Sequence, residues 1–451
     1  MLSKYYPYYQ RLLKLAVPLV LTQAGQMIVH LVDNAMVGRV GTTELAAASF
    51  ANSIFMIGMI FGIGIFIGIT PIIGKALGQN TPNHIAQIIK NGLALSALIT
   101  ALVFIVMWMV SYLMPYMKQP EAVYKMAVPY YQLLSYSLIP LFIFMLFKQI
   151  GEGLGNTVIA MIATITSNIL NIGLNWVLIF GKLGFPELGL LGAGYATLIS
   201  RITMPILIYF GFKATQSIND YLKLLPGVKT QWQGIKKIFA VGFPISGQML
   251  VEISTFSLGA IMMGWIGDVE LAAHQVALGL ASFTFMVANG IAMATTIRVS
   301  HQIGQHDYKS MKNVSLSAVH LVLAYMLLCG IGFIVFRHQL PRLFSPDPLV
   351  IKQTASLLVI AGLFQLFDGL QVVSLGILRG FSDVKKPMIM AGISYMLIGL
   401  PTSYLFAFTF NFGPEGIWLG FVTGLGTAGL MFARRIIKNK INETPAEANN
   451  E

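Results

Sequence analysis

Charge is what this chain has least of. Only 10% of its 451 residues are Asp, Glu, Lys or Arg, where soluble domains carry about 25%. Hydrophobic residues make up 56% and the mean hydropathy is +0.74. A soluble globular domain is excluded, and a polytopic membrane protein is expected. Cysteine is nearly absent: Cys329 stands alone in an apolar segment, so no intrachain disulfide can form and the redox compartment stays open. Catalytic signatures are missing as well, with no HExxH, CxxC or GxSxG. The nearest thing to a phosphate-binding loop is GITPIIGKA, Gly68–Ala76. Its glycine spacing is one residue too long and no Ser or Thr follows the Lys, so it is no Walker motif. No enzyme activity and no cofactor are expected, and work has to be driven by an ion gradient. The net charge of +12 does not point to nucleic acid, because the basic residues fall in short loops between apolar runs.

At roughly 20 residues per crossing, twelve apolar segments can be drawn. They lie near 11–35, 45–72, 91–114, 127–150, 157–181, 187–212, 235–262, 270–296, 314–336, 350–378, 386–410 and 414–436. The first begins near residue 12 and is too long for the core of a cleavable leader, so it is expected to remain as a span. The longest internal polar stretch, 213–234, separates six spans from six. An N-terminal six-helix lobe is therefore expected over 1–212, a cytoplasmic linker over 213–234, a C-terminal lobe over 235–436, and a polar tail over 437–451. Most Lys and Arg fall on one side if both termini are cytoplasmic, including Lys75, Lys223, Lys236, Lys237, Arg298, Lys385, Lys386, Arg434 and Arg435.

The halves repeat. A shift of 226 positions places Pro18 on Pro244, Gly38 on Gly264, Gly64 on Gly290 and Thr70 on Thr296, and it aligns ELAA at 44–47 with ELAA at 270–273. Six is an even number of spans, so both halves enter the membrane in the same sense. The repeat is parallel, with its pseudo-two-fold axis along the membrane normal. A central cavity and alternating access by rocking of two bundles are expected from it.

Of the 17 acidic residues, only Asp33, Glu252 and Asp368 fall deep in apolar segments, with Glu152 just past the end of the fourth. A charge at such depth costs about 2.5–3.5 kcal/mol or more unless it is partnered or wetted, and it marks a functional site by default. Gln23, Gln26, His30 and Asp33 are spaced +3, +4, +3, one wet face of the first span. On the fifth span Thr164, Asn168, Asn171 and Asn175 form a second stripe, and Thr197 on the sixth should lie at similar depth. Amide oxygens can complete the shell of Na⁺ or bond a protonated carboxyl; as interhelical glue they would contribute about 1 kcal/mol each. Thr197 serves either this site or its own helix. In the second half Gln248, Glu252 and Thr255 share a face, and Gln365, Asp368 and Gln371 lie close together on the tenth span. The repeat pairs Asp33 with Gly259 and Glu252 with Gln26, so the halves hold different acids. Arg201 either snorkels to an interface or bonds carbonyls, or it is the counter-ion of a carboxylate. His30 joins a proton relay or is a satisfied histidine. Pro18 and Pro244 kink equivalent spans, as static bends or as hinges.

These residues resemble the multidrug and toxic compound extrusion (MATE) family, and within it the NorM-like branch. The stretches that carry the likeness are VDNAMVGRVG (32–41), GEGLGNT (151–157), NILNIGLNW (168–176), FPELGLLGAGYAT (185–197), GQMLVEIST (247–255), ELAAHQ (270–275) and FDGLQVVSLGILRGFSD (367–383). The resemblance covers residues 11–436. It implies a twelve-helix antiporter with V-shaped lobes that exports cationic or polyaromatic drugs against inward H⁺ or Na⁺. Asp33 matches the family's first-helix acid, Asn171, Asn175 and Thr197 match the polar positions around it, and Glu252 and Asp368 match the second-lobe acids of the NorM-like branch. Some members place a tyrosine one turn before that aspartate, where this chain has Phe364.

The expectation is a cation-coupled multidrug exporter of the bacterial inner membrane. It would be monomeric and surrounded by lipid, with small organic cations and a monovalent cation as its partners and Na⁺ or H⁺ held at Asp33 or at Glu252 and Asp368. The alternative is a flippase for lipid-linked oligosaccharides on a related fold. That would need several cationic residues in the cavity to meet pyrophosphate, and only Arg201 is expected there.

Overall fold

The computed structural model describes residues 4–438. Among the described residues twelve helices are long and apolar enough to cross a membrane: α1 Tyr6–Gly38, α2 Thr42–Gly78, α3 Pro82–Tyr116, α4 Glu121–Gly153, α5 Val158–Phe180, α6 Gly189–Ala214, α7 Trp232–Ile266, α8 Asp268–Gly304, α9 Tyr308–Val335, α10 Pro348–Gly380, α11 Lys385–Thr409 and α12 Gly413–Ile436. Among the described residues there is no strand. Most of these helices outrun the apolar windows because polar residues continue them at one or both ends. Glu152, placed by sequence beyond the fourth span, therefore lies inside α4 and is 1% exposed. The polar stretch between α6 and α7 is itself partly helical over Gln216–Lys223.

Helix ends follow the local chemistry. Asp307 caps α9 by accepting from the Ser310 backbone N–H at 2.9 Å, and Asp347 caps α10 by accepting from Leu349 N–H at 2.8 Å, each satisfying a donor the helix leaves orphaned. Helix α5 stops at Gly181, whose φ of 63° is left-handed. Helix α11 is not regular: Ile393–Gly399 and Leu405–Thr409 are π-helical.

The chain divides into two compact units whose bounds differ from those drawn from the apolar segments. One unit is Leu21–Ser246; the other is the chain up to Val20 together with the chain from Gly247 on. Residues before 21 thus leave the proposed 1–212 lobe, and residues 213–246 join it. The tail drawn over 437–451 falls, from residue 439, outside the described residues.

The physical reason is that the first part of α1 and the first part of α7 each find their apolar partners in the opposite repeat. Leu12, Ala16 and Leu19 are buried in a core with Ile291, Val314, Val322 and Val372. Ile235 and Ile238 are buried in the core of the first unit with Ile65, Ile69 and Ile89. Glycine permits both contacts. A Cβ on Gly64 would lie 2.5 Å from Ser246 Cα, and a Cβ on Gly290 would lie 2.4 Å from Val20 Cγ2. Gly64 and Gly290, like Val20 and Ser246, are 226 positions apart, so the repeat extends to this packing. The bonds follow it with the acceptor moved on by one residue, a shift of 227: Thr70 Oγ1 donates to the Gln149 carbonyl at 3.2 Å, and Thr296 Oγ1 to the Gly376 carbonyl at 2.8 Å.

Candidate functional site

The first unit holds Asp33 on α1 against the asparagine stripe of α5. Asn175, fully buried, donates from Nδ2 to Asp33 Oδ1 and also to Asn171 Oδ1 at 3.1 Å. Asn171 donates in turn to Ser200 Oγ on α6 at 3.3 Å, and Ser200 donates to the Thr197 carbonyl at 3.0 Å. A half-buried carboxylate is thus held by neutral amides. Asn175 Oδ1 is buried without a hydrogen-bond partner.

Other residues singled out from the sequence divide. Asn168 stands two turns before Asn175 on α5, with its Nδ2 2.9 Å from where a Cβ on Gly25 would be. Thr164 bonds the Ala160 carbonyl of its own helix at 2.9 Å. Thr197 enters the network through its backbone. His30 is exposed and lies 3.4 Å from Asn34. Gln26 is half-buried on the Asp33 helix. Arg201 donates to Ser137 Oγ at 2.7 Å, with its guanidinium 5.1 Å from the centroid of the Phe55 ring. Among the described residues it forms no ion pair of 4.0 Å or less with Asp33, so its charge acts on that carboxylate from a distance.

In the second unit Glu252 on α7 accepts from Gln248 Nε2 at 2.8 Å. Gln248 accepts from Arg379 Nη2 at 2.7 Å. Asp368, 4% exposed on α10, lies within electrostatic reach of Glu252. Gln365 accepts from Thr284 at 2.9 Å, while Gln371, 1% exposed, sets its amide within reach of the Tyr395 hydroxyl. Glu252 also lines a cavity of about 10 Å³ with Thr255, Phe256, Tyr395, Gly399 and Phe421, room for one water-sized sphere. Phe364, where relatives of the expected family can carry a tyrosine, is packed between Phe256 and Trp418. The phenol at this cavity comes instead from Tyr395 on α11.

The sequence reading missed Arg379 and Tyr395. Arg379 is one residue from the end of α10 and reads as a loop cation. Tyr395 reads as an ordinary span aromatic. It also missed why the halves differ. A Cβ on Gly259, the counterpart of Asp33, would lie 2.2 Å from Phe421 Cζ. The Phe421 ring fills the space an aspartate would need.

A larger cavity, about 460 Å³, opens in the first unit between Glu44, Lys125, Pro129 and Glu187, away from Asp33. Among the described residues no cluster of three His, Cys, Asp or Glu could hold a metal ion.

Twelve spanning helices, built as one six-helix motif used twice and carrying buried acids in place of a catalytic centre, define a membrane transporter. A family model described as MatE matches residues 18–177 and again 244–405. Its two matches begin at Pro18 and Pro244, at the spacing of the internal repeat. The chain is 32% identical over 441 residues to a probable multidrug resistance protein NorM of Rhizobium meliloti, covering 96% of this chain and 94% of that one. It is 30% identical over 431 residues to the multidrug resistance protein NorM of Vibrio cholerae, covering 94% of each. A crystal structure of a Vibrio cholerae MATE transporter superposes with a TM-score of 0.87 at 19% identity, over 97% of this chain and 99% of that one, a likeness of fold. This protein belongs to the MatE family, as a NorM-like transporter. It is a transporter and not an enzyme.

Proposed function

We propose that the protein exports chemically diverse cationic or polyaromatic organic compounds across a bacterial inner membrane, in exchange for H⁺ or Na⁺ moving inward. The multidrug resistance names of its relatives support the cargo class. One observation carries the coupling: Asp33, a carboxylate within a spanning helix, is met by Asn175 rather than by a cation. Its negative charge is stabilised but not neutralised, so H⁺, Na⁺ and a cationic drug can all gain from binding there. Asp33 with Asn171 and Asn175 forms the first coupling site, and Glu252 with Asp368 the second. The basic loops favour a cytoplasmic position for both termini.

In this reading the outward-facing state takes up the coupling ion and weakens drug binding, and the inward-facing state releases the ion and binds drug. Coupling requires that the two ligands favour different states or compete for one site. Pro18 and Pro244 are suited to act as hinges, because each lies two residues before the point where its helix passes from one compact unit to the other. The flippase alternative is weakened by Arg201, whose guanidinium is engaged by Ser137 and Phe55.

The test is ethidium efflux from proteoliposomes under an imposed ΔpH or ΔpNa, each alone. Asp33→Asn should abolish gradient-driven efflux. Intact efflux in that variant refutes the reading, and loss of function in Arg201→Ala with Asp33→Asn spared would favour the flippase.

A further inference from the structure

The bridge from Arg379 to Glu252 has no part in the cycle proposed above, yet its chemistry allows one polarity. Gln248 is 2% exposed and lies between the two charged groups. A guanidinium can only donate, so the amide oxygen of Gln248 must face Arg379. Its amide nitrogen must then face Glu252, where Oε2 accepts. Turning the amide over would set N–H against N–H and carbonyl against carboxylate. Arginine does not give up its proton in proteins, so the chain cannot relay protons. It can hold one carboxylate oxygen and impose a positive charge.

The other side of Glu252 is different. The small cavity it lines has Thr255, Phe256, Tyr395, Gly399 and Phe421 among its other walls. Tyr395 is 3% exposed, and the side chain within reach of its hydroxyl is the neutral amide of Gln371. It stands in the π-helical stretch Ile393–Gly399 of α11, the kind of irregular turn that recurs at functional sites. The charged and titratable groups that act on Glu252 and Arg379 are each other, Asp368 on α10 and Tyr395 on α11.

We infer that Arg379, acting through Gln248, is a positioning residue for ion coupling: the bridge holds Glu252 by Oε2 and leaves Oε1, beside the Tyr395 cavity, to bind and release the coupling ion. The inference rests on the reading of Glu252 as a coupling acid. The same guanidinium repels an arriving cation, so it weakens ion binding and eases release. The first unit lacks the device. At the local shift of 227, the one that relates the Gln149 and Gly376 acceptors and the contacts of Gly153 with Thr70 and of Gly380 with Thr296, GEGLG at 151–155 aligns with LRGFS at 378–382, which puts Glu152 opposite Arg379. Glu152 is a buried acid 3.7 Å from Lys148, the reverse sign at the matching place.

The experiment measures how ethidium efflux from proteoliposomes depends on H⁺ and on Na⁺, using the full-length protein. Arg379→Gln should lower the ion concentration for half-maximal efflux by about three- to tenfold, the effect of removing one charge several ångströms away in a partly screened site. Arg379→Lys, which keeps the charge, should stay within about twofold of the unmodified protein. Gln248→Met, which breaks the bridge and keeps the charge, should shift the ion dependence in the same direction as Arg379→Gln, and the double variant should shift by less than the two single shifts together, because both changes share the loss of one bridge. An unshifted Arg379→Gln, or additive shifts, overturns the inference. Should Arg379→Gln fail to purify as a monodisperse protein, Gln248→Met decides alone, and no shift there is also refuting. Glu252→Gln separates the two layers. Coupled efflux with an unchanged ion dependence in that variant refutes the acid's role itself. Lost coupling there, with Arg379→Gln and Gln248→Met unshifted, refutes the bridge only.

Discussion

Asn175→Leu isolates what the neutral amide does for Asp33. The substitution removes the Nδ2 donor that Asp33 Oδ1 accepts from. It also removes a bond to Asn171 and the buried Oδ1 that has no partner. A hydrogen bond to a charged group contributes about 1.5–3 kcal/mol. That contribution is larger while the carboxylate is bare than when an ion neutralises it, so losing the donor penalises the ion-free state. Taken in full, about 1.5–3 kcal/mol becomes a tightening of ion binding of about tenfold to a hundredfold. Stability should change much less, because the leucine also removes an unsatisfied buried carbonyl, whose burial itself costs about 1–3 kcal/mol. The assay is efflux from proteoliposomes against ion concentration, alongside thermal melting in detergent. The expected result is half-maximal efflux at far lower ion concentration, a slower maximal rate where ion release limits the cycle, and a nearly unchanged melting temperature. A folded Asn175→Leu with the original ion dependence would refute the claim that this amide sets the charge state of Asp33.

Two further outcomes follow from the helix contacts and ends. Gly64→Ala should destabilise by about 1–3 kcal/mol, the usual range for overpacking, because its Cβ would meet Ser246 backbone atoms at 2.5 and 2.7 Å. Gly290→Ala should cost less, because the atom nearest its Cβ belongs to the Val20 side chain, and equal losses in thermal melting would contradict the asymmetry. Asp307→Ala should cost about 1 kcal/mol as a lost helix cap. The hydrogen bonds from Ser310 hold the Asp307 carboxyl below its ordinary range. Its contribution is therefore complete above its unfolded value, about pH 4, and fades as pH falls through the lower folded value. Melting curves of Asp307→Ala should accordingly converge on those of the unmodified protein in acid and separate from them near neutral pH.

How much of this was legible depended on the range of the interaction. The twelve spans and the repeat are read from hydropathy and spacing, which act along the chain, and the contact of Asp33 with Asn175 followed from matching polar faces on α1 and α5. Spacing fixes a face but not a depth, so spacing alone did not separate Asn168 from Asn175, and only the family resemblance singled out Asn175, whose Nδ2 donates to the carboxylate. The unit boundaries were not legible, because hydropathy cannot say which bundle the first part of α1 packs against; that is decided by Gly290 and Gly64 admitting a neighbouring helix. Arg379 and Glu152 were hidden because both stand at helix ends, where charge is ordinary, and only folding shows that they are enclosed. Tyr395 was hidden because the π-helical turns of α11 shift the side-chain phase away from the 3.6-residue period on which the reading relied.

The repeat also explains why one scaffold carries two unlike acids. At the position of Asp33 the second unit has Gly259, and the Phe421 ring leaves no room for a side chain there. The second unit places its acids elsewhere, at Glu252, opposite Gln26, and at Asp368. Displacing the acid changes its company. Asp33 meets amides backed by serine and threonine groups. Glu252 meets one amide backed by a guanidinium, with Asp368 adding charge of its own sign. A neutral donor stabilises a carboxylate without competing with a cation for it, whereas a guanidinium repels the cation, and a second carboxylate attracts it. Identical ions offered to the two units therefore meet different free-energy profiles, even though the helices that present the acids were copied from one motif. Grafting Asp33 into the second unit by Gly259→Asp cannot make the sites alike, because Phe421 would have to move before the carboxylate could point where Asp33 does.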